Sequence, residues 1–172
     1  KNYDKLISNS FIKKTKNISV IVSDKQFTDG HKKRFDFVMK LKEHFGSELD
    51  LYGRGINDFQ DKWDVLEPYK YSIAIENFAE DDWLTEKIYD CYLAHTLPIY
   101  YGCTNIEKYF NKNSYELINI HDIKSSIQNI EKILEVPDYY ENKIDFILEA
   151  KNEYLNKFNI FPLIVNYINE MN

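Results

Sequence analysis

The sequence predicts an α/β domain: a parallel sheet with helices on both faces, followed by a helical tail. Three observations predict it. Short apolar, β-branched runs alternate with segments of helical spacing, as in parallel sheets covered on both faces. At 172 residues the chain is one domain by length, and large enough to bury a real core. With 44% hydrophobic and 29% charged residues it has the composition of a globular protein rather than a disordered one.

The elements follow in order. Residues 17–23 (NISVIVS) read as a buried strand. Residues 31–45 place Phe35, Val38, Leu41 and Phe45 near helical spacing, with Gly46 as a stop. Residues 49–52 form a second strand ending in the loop Gly53-Arg54-Gly55. A short helix is expected within 60–69, closed off near Pro68, before a third strand at 71–75. A polar stretch then leads to a helix over 83–95, with Leu84, Ile88, Cys91 and Tyr92 on its core face. Strands at 97–101 and 115–120 come next, then a helix over 122–134 capped by Asp122. The remainder, 139–172, reads as one or two amphipathic helices broken near Pro162. The resulting division is a connecting segment at 1–16, a Rossmann-like domain at 17–135, and a helical tail at 136–172 packing on that domain.

Composition excludes several classes. A net charge of −6 argues against a nucleic-acid partner, which calls for a clustered basic face. Cys91 and Cys103 have neither zinc-ligand nor redox-pair spacing, so a reduced cytoplasmic chain is the simple inference. His31, His44, His95 and His121 are scattered and show no metal pattern. The longest apolar runs are strand-sized, so neither a signal peptide nor a transmembrane segment is expected.

The segment from Tyr71 to Gly102 stands out: strand, polar loop, helix, strand. Open α/β sheets bind ligands beyond the carboxyl ends of their strands, where Glu76 and Asn77 fall. A helix start suits a diphosphate, because its N–H groups are unpaired and its dipole is positive there. Lys87 opposes that dipole and so calls for a bound anion, while Glu86 suits ribose hydroxyls. Taken alone, Asp81 and Asp82 read as helix caps, Glu86 and Lys87 as surface residues, and Trp83 as core.

The string IENFAEDDWLTEKIYDCYLAHTLPIYYG resembles the hallmark of the family 10 fucosyltransferases, the α-1,3/1,4-fucosyltransferases. The matching residues are Glu76, Asn77, Trp83, Thr85, Glu86, Lys87 and Pro98 to Gly102. Upstream, VIVSDKQFTDGHKKRFDFVMKL resembles the family's strand–loop–helix with an arginine at the helix start, here Arg34. The likeness runs from about Ile18 to Ile133. It implies the C-terminal, donor-binding half of a two-domain GT-B glycosyltransferase. By position it implies that Lys87 and Arg34 contact the phosphates of GDP-fucose, that Glu86 holds the ribose, and that Asn77 hydrogen-bonds at the donor. Trp83 takes the place of a usual tyrosine, and Phe78 that of a usual serine. Both departures remove hydroxyls, and so bear on the sugar more than on the nucleotide.

The implied reaction is inverting transfer of L-fucose from GDP-fucose to a hydroxyl of an acceptor glycan. Lys87, Arg34 and a helix dipole would stabilise the departing GDP without a metal or other cofactor. No Asp-x-Asp metal motif accompanies them. The resemblance puts the general base on an N-terminal acceptor-binding domain, so no catalytic residue is expected in this chain. It further suggests a bacterial enzyme, cytoplasmic or peripheral to the inner membrane, acting on lipopolysaccharide or related glycans. The alternatives are a glycosyltransferase domain using another nucleotide-sugar, a non-catalytic domain retaining the fold, and a flavodoxin-like binding domain.

Overall fold

The computed structural model describes residues 3–7, 12–25 and 27–171. A short helix α1 (Tyr3–Ile7) precedes five strands: β1 (Lys16–Ile21), β2 (Leu49–Tyr52), β3 (Tyr69–Ile75), β4 (Leu97–Tyr101) and β5 (Glu116–Leu117). Every pairing is parallel and the spatial order is β2-β1-β3-β4-β5. The order reverses between β1 and β3, so the connections out of these neighbours leave in opposite directions. A crevice therefore opens beyond their carboxyl ends.

Helix α2 (Asp29–Phe45) follows β1, α3 (Glu86–Leu93) follows β3, and α4 (Ile123–Glu135) follows β5. The core lies between these layers and the sheet, with Ile18, Val20, Ile73, Ile88, Leu97 and Ile99 almost fully buried. β3 is buried along nearly its whole length, as a central parallel strand must be. α2 begins two residues earlier than expected because Thr28 caps it, accepting from the His31 N–H. It ends at Gly46, whose φ of 54° suits glycine. Asp122 caps α4 through the Ser125 N–H, as the sequence suggested.

Three expectations need correcting. The helix placed at 83–95 spans only Glu86–Leu93, and its cap is Thr85 rather than Asp81 or Asp82. Asp82 has a φ of 61° and bonds sideways to Asn105 and Tyr109, so it belongs to a turn. The strand expected at 115–120 shrinks to Glu116–Leu117, since only Ile99 and Tyr100 of β4 offer it a ladder. The tail breaks at Asn159 rather than near Pro162. It comprises α5 (Ile144–Glu153), a π-helical turn at Tyr154–Phe158, and α6 (Ile160–Glu170). Pro162 sits in the first turn of α6, where its missing N–H costs nothing.

α5 packs on α3, with Tyr89 stacked on Tyr154 at 4.2 Å between ring centroids. At the amino end of β4, Tyr140 donates to the His95 carbonyl and Lys151 Nζ lies 2.8 Å from His95 Nε2. α6 differs: Ile160, Phe161, Leu163, Ile164, Val165 and Tyr167 are all exposed. No helix of the described residues is long and apolar enough to cross a membrane.

Candidate functional site

A cleft of about 300 Å³ lies where the switch-point crevice is expected. Ile21 and Ser23 reach it from the end of β1, Ile75 and Asn77 from the end of β3, and Arg34 from α2. Glu86, Lys87 and Asp90 line it from α3, and Lys62 from the single turn of 3-10 helix at Lys62–Val65.

Two glycines permit the close packing. A Cβ on Gly30, in the first turn of α2, would stand 2.3 Å from the Asn77 carbonyl oxygen. One on Gly102 would stand 2.4 Å from Glu76 Cγ. Glycine at these positions lets the start of α2 and the end of β4 close onto the two residues that follow β3.

Glu76 organises the α3 side. Its side chain is fully buried, and it accepts from the Thr85 N–H at 3.1 Å and from Lys87 Nζ at 3.0 Å. The Thr85 hydroxyl lies 2.7 Å from both carboxylate oxygens. Because that hydroxyl serves Glu76, its capping bond to the Lys87 N–H is long, at 3.5 Å. Lys87 Nζ also donates to Thr85 Oγ1 at 3.0 Å and to Glu86 Oε1 at 3.4 Å, so its three protons are all engaged. Replacing such a buried pair by apolar residues is often neutral or stabilising, so stability alone gives no reason for it.

Around the cleft two lysines face three acids, and Arg34 is the one cation of the lining that bonds none of them. Lys87 faces Glu76, Lys62 faces Asp90 at 2.8 Å, and Glu86 lies between the two lysines. Burial raises the Glu86 carboxyl, but Lys87 and Lys62 outweigh it and hold the pKa below its ordinary value. Arg34, only 8% exposed, stands apart: its Nη1 donates to the neutral Asn77 Oδ1 at 2.8 Å, and its Nε meets no partner. Burial pushes its pKa down, opposed by Glu76 and Glu86, yet a guanidinium stays charged. A buried guanidinium bonded to no carboxylate and with a free Nε is suited to receiving an anion.

Of the residues singled out in the sequence, Arg34, Asn77, Glu86 and Lys87 come together in this cleft. Trp83 does not line it. It is 42% exposed on the loop between β3 and α3, edge-on to Phe78 with centroids 5.8 Å apart, so the core placement was wrong. Sequence reasoning left Glu76 and Thr85 without roles and missed Lys62 and Asp90 altogether. Glu76 was signalled by its place, an acid directly following an apolar strand. Lys62 carries no local signal, since only the tertiary fold brings it beside α3. Among the described residues, no group of His, Cys, Asp or Glu side chains is placed to hold a metal ion.

The fold and the cleft together define an α/β domain with a crevice at its switch point, lined by Arg34, Lys62 and Lys87. A family model for the C-terminal region of glycosyltransferase family 10 (fucosyltransferase) matches residues 11–146. The chain belongs to that family. Over 104 residues it is 33% identical to the alpha-(1,3)-fucosyltransferase FucT of Helicobacter pylori, a match covering 60% of this chain and 21% of the relative. The crystal structure of an alpha1,3-fucosyltransferase with GDP superposes with a TM-score of 0.64 at 21% identity, covering 87% of this chain and 49% of that one. One with GDP-fucose gives 0.61, again at 21% identity, covering 87% and 50%. At such identities the likeness shows the fold: a Rossmann-like sheet equivalent to the C-terminal half of a GT-B glycosyltransferase. The chain spans about a fifth of the Helicobacter pylori protein and about half of the solved fucosyltransferase chains.

Proposed function

We propose that this chain is the donor-binding half of an inverting fucosyltransferase and holds GDP-fucose in the cleft between β1 and β3. The observation that carries the proposal is Arg34, a buried guanidinium bonded to no carboxylate and with its Nε unpartnered at the cleft. Membership of family 10 and the similarity to structures holding GDP and GDP-fucose support the choice of nucleotide.

Arg34 and Lys87 take the diphosphate, Glu86 accepts from the ribose hydroxyls, and Asn77 keeps Arg34 aimed. Trp83 and Phe78, exposed and paired edge-on on the loop between β3 and α3, are the residues proposed to cover the sugar end. Inversion requires one in-line displacement, in which a base removes the acceptor proton as the bond to GDP breaks. Negative charge then grows on the departing diphosphate. Arg34, Lys87 and the positive end of α3 meet it, so the residues present can do this work without a metal. The base and the glycan site belong to an N-terminal acceptor-binding domain. We further propose a bacterial, cytoplasmic setting and a surface glycan such as lipopolysaccharide as acceptor; a bacterial alpha-(1,3)-fucosyltransferase is among the relatives.

Calorimetric titration with GDP, GDP-fucose, GDP-mannose and UDP tests this. GDP and GDP-fucose should bind, UDP should not, and Lys87→Ala should weaken GDP by about 30-fold or more, the loss expected when one partner of a buried charged contact is truncated. Equal binding of UDP and GDP, or an unchanged Lys87→Ala variant, would remove the assignment. GDP-mannose binding as tightly as GDP-fucose would keep the nucleotide and discard fucose.

A further inference from the structure

Lys62 lies outside the motif residues, yet it shares one carboxylate oxygen with Lys87. Glu86 Oε1 is 3.4 Å from Lys87 Nζ and 3.8 Å from Lys62 Nζ. The two lysines are tethered differently. Lys87 is pinned to the buried Glu76 and to Thr85, while Lys62 is pinned to Asp90, one helical turn beyond Glu86. Lys87 has no donor to spare, so an incoming anion must displace one of its three partners. Glu86 is the one to yield. Its contact is the longest of the three and its side chain is 58% exposed, whereas Glu76 is buried and unable to turn away.

From this geometry we infer that Lys62 is a positioning residue: when a diphosphate takes Lys87, Lys62 retains the Glu86 carboxylate at the cleft, where it can accept from a vicinal diol. The inference rests on the donor-site reading and adds a hand-over to it. Displaced from Lys87, an exposed glutamate with no second cation would turn into solvent and lose its rotamer. With Lys62 held by Asp90 at 2.8 Å, the carboxylate keeps a fixed counter-charge beside the cleft. The two halves of the ligand are thereby linked. Phosphate binding releases the acid that the ribose needs, and Lys62 keeps it within reach.

The test compares GDP with 2′,3′-dideoxy-GDP and inorganic pyrophosphate, titrated into the parent chain and into Lys62→Met and Lys62→Arg. The parent should prefer GDP over the dideoxy compound by about 10-fold, the scale of a hydrogen bond to a charged acceptor. In Lys62→Met that preference should collapse toward unity, with dideoxy-GDP and pyrophosphate binding as in the parent. Lys62→Arg should restore most of it. Unchanged binding of the dideoxy compound also reports that the variant is folded. If Lys62→Met weakens all three ligands by the same factor, Lys62 is a general positive charge and the inference is overturned. It is overturned equally if the GDP preference survives the substitution. A parent that binds none of the three refutes the donor-site reading itself, a result distinguishable from either.

Discussion

Two lysines are drawn into opposite ends of this sheet, and their surroundings are chemical opposites. At the carboxyl ends of the strands, Lys87 meets the buried carboxylate of Glu76 and shares Glu86. At the amino ends, Lys14 donates to the carbonyls of Glu67 and Ala94 and to the Thr96 hydroxyl, at 2.8, 2.6 and 3.1 Å. Those acceptors are neutral, and burial pushes the Lys14 pKa down to about 7, against the raising effect of Glu67 and Cys91. The ammonium at one end is neutralised by an acid that an anion can relieve. At the other it stitches together the loops before β3 and β4, with no acid to exchange. Burial of a lysine thus carries no functional message by itself; the chemistry of its acceptors does.

Removing each cation should expose that difference. Lys87→Met leaves Glu76 charged, buried and unpaired, and should cost about 3–5 kcal/mol of stability in urea unfolding. Adding Glu76→Gln should recover most of the loss, because the stranded charge is gone. Lys14→Met strands only carbonyls and a hydroxyl, and should cost about 1–3 kcal/mol. If Lys14→Met proves the costlier change, the contrast between the two ends fails.

The pH dependence separates them further. Lys14 titrates near 7 when folded and at the ordinary 10.5 when unfolded. Between those values the unfolded chain holds a proton that the folded chain has shed, so stability rises with pH. The penalty for burying the charged form is complete below pH 7 and fades as the pH climbs. Melting temperatures from pH 7 to 10 should therefore climb in the parent relative to Lys14→Met, by a few degrees. Parallel curves would show that Lys14 stays charged throughout.

Local order was largely legible in the sequence at the carboxyl end and hardly at the amino end. The apolar runs located the strands, and Glu76-Asn77 directly after one of them marked the crevice. Arg34, Asn77, Glu86 and Lys87 were found because they sit on elements that start or stop at that crevice. Lys62 and Asp90 were not, because their pairing joins segments whose nearness only the packed fold creates. The same holds for Lys14 with Thr96. The start of α3 was misplaced for a local reason: Asp81 and Asp82 have good capping chemistry, but tertiary bonds claim both. Thr104 donates to the Asp81 carboxylate, while Asn105 and Tyr109 donate to Asp82, leaving the cap to Thr85.

That latch supplies the smallest predicted effect. Asp82 holds the β3–α3 loop against the segment after β4, with a φ of 61° that asparagine tolerates and alanine resists. Its carboxyl lies below the ordinary range because Tyr109 and Asn105 donate to it. The Tyr109 hydroxyl is raised to about 12 by the same bond. A lowered acid stabilises the fold above its unfolded pKa of 3.8, and that contribution drains away as the pH falls through the lower folded value. Asp82→Asn should therefore melt within a degree or so of the parent near neutrality and match it in acid, while Asp82→Ala should melt about two degrees lower or more. GDP affinity should change little in either, since Asp82, Asn105 and Tyr109 do not line the cleft that holds Arg34 and Lys87. A large affinity loss in Asp82→Asn, with its fold intact, would mean that the loop's position and the charge of the cleft cannot be separated.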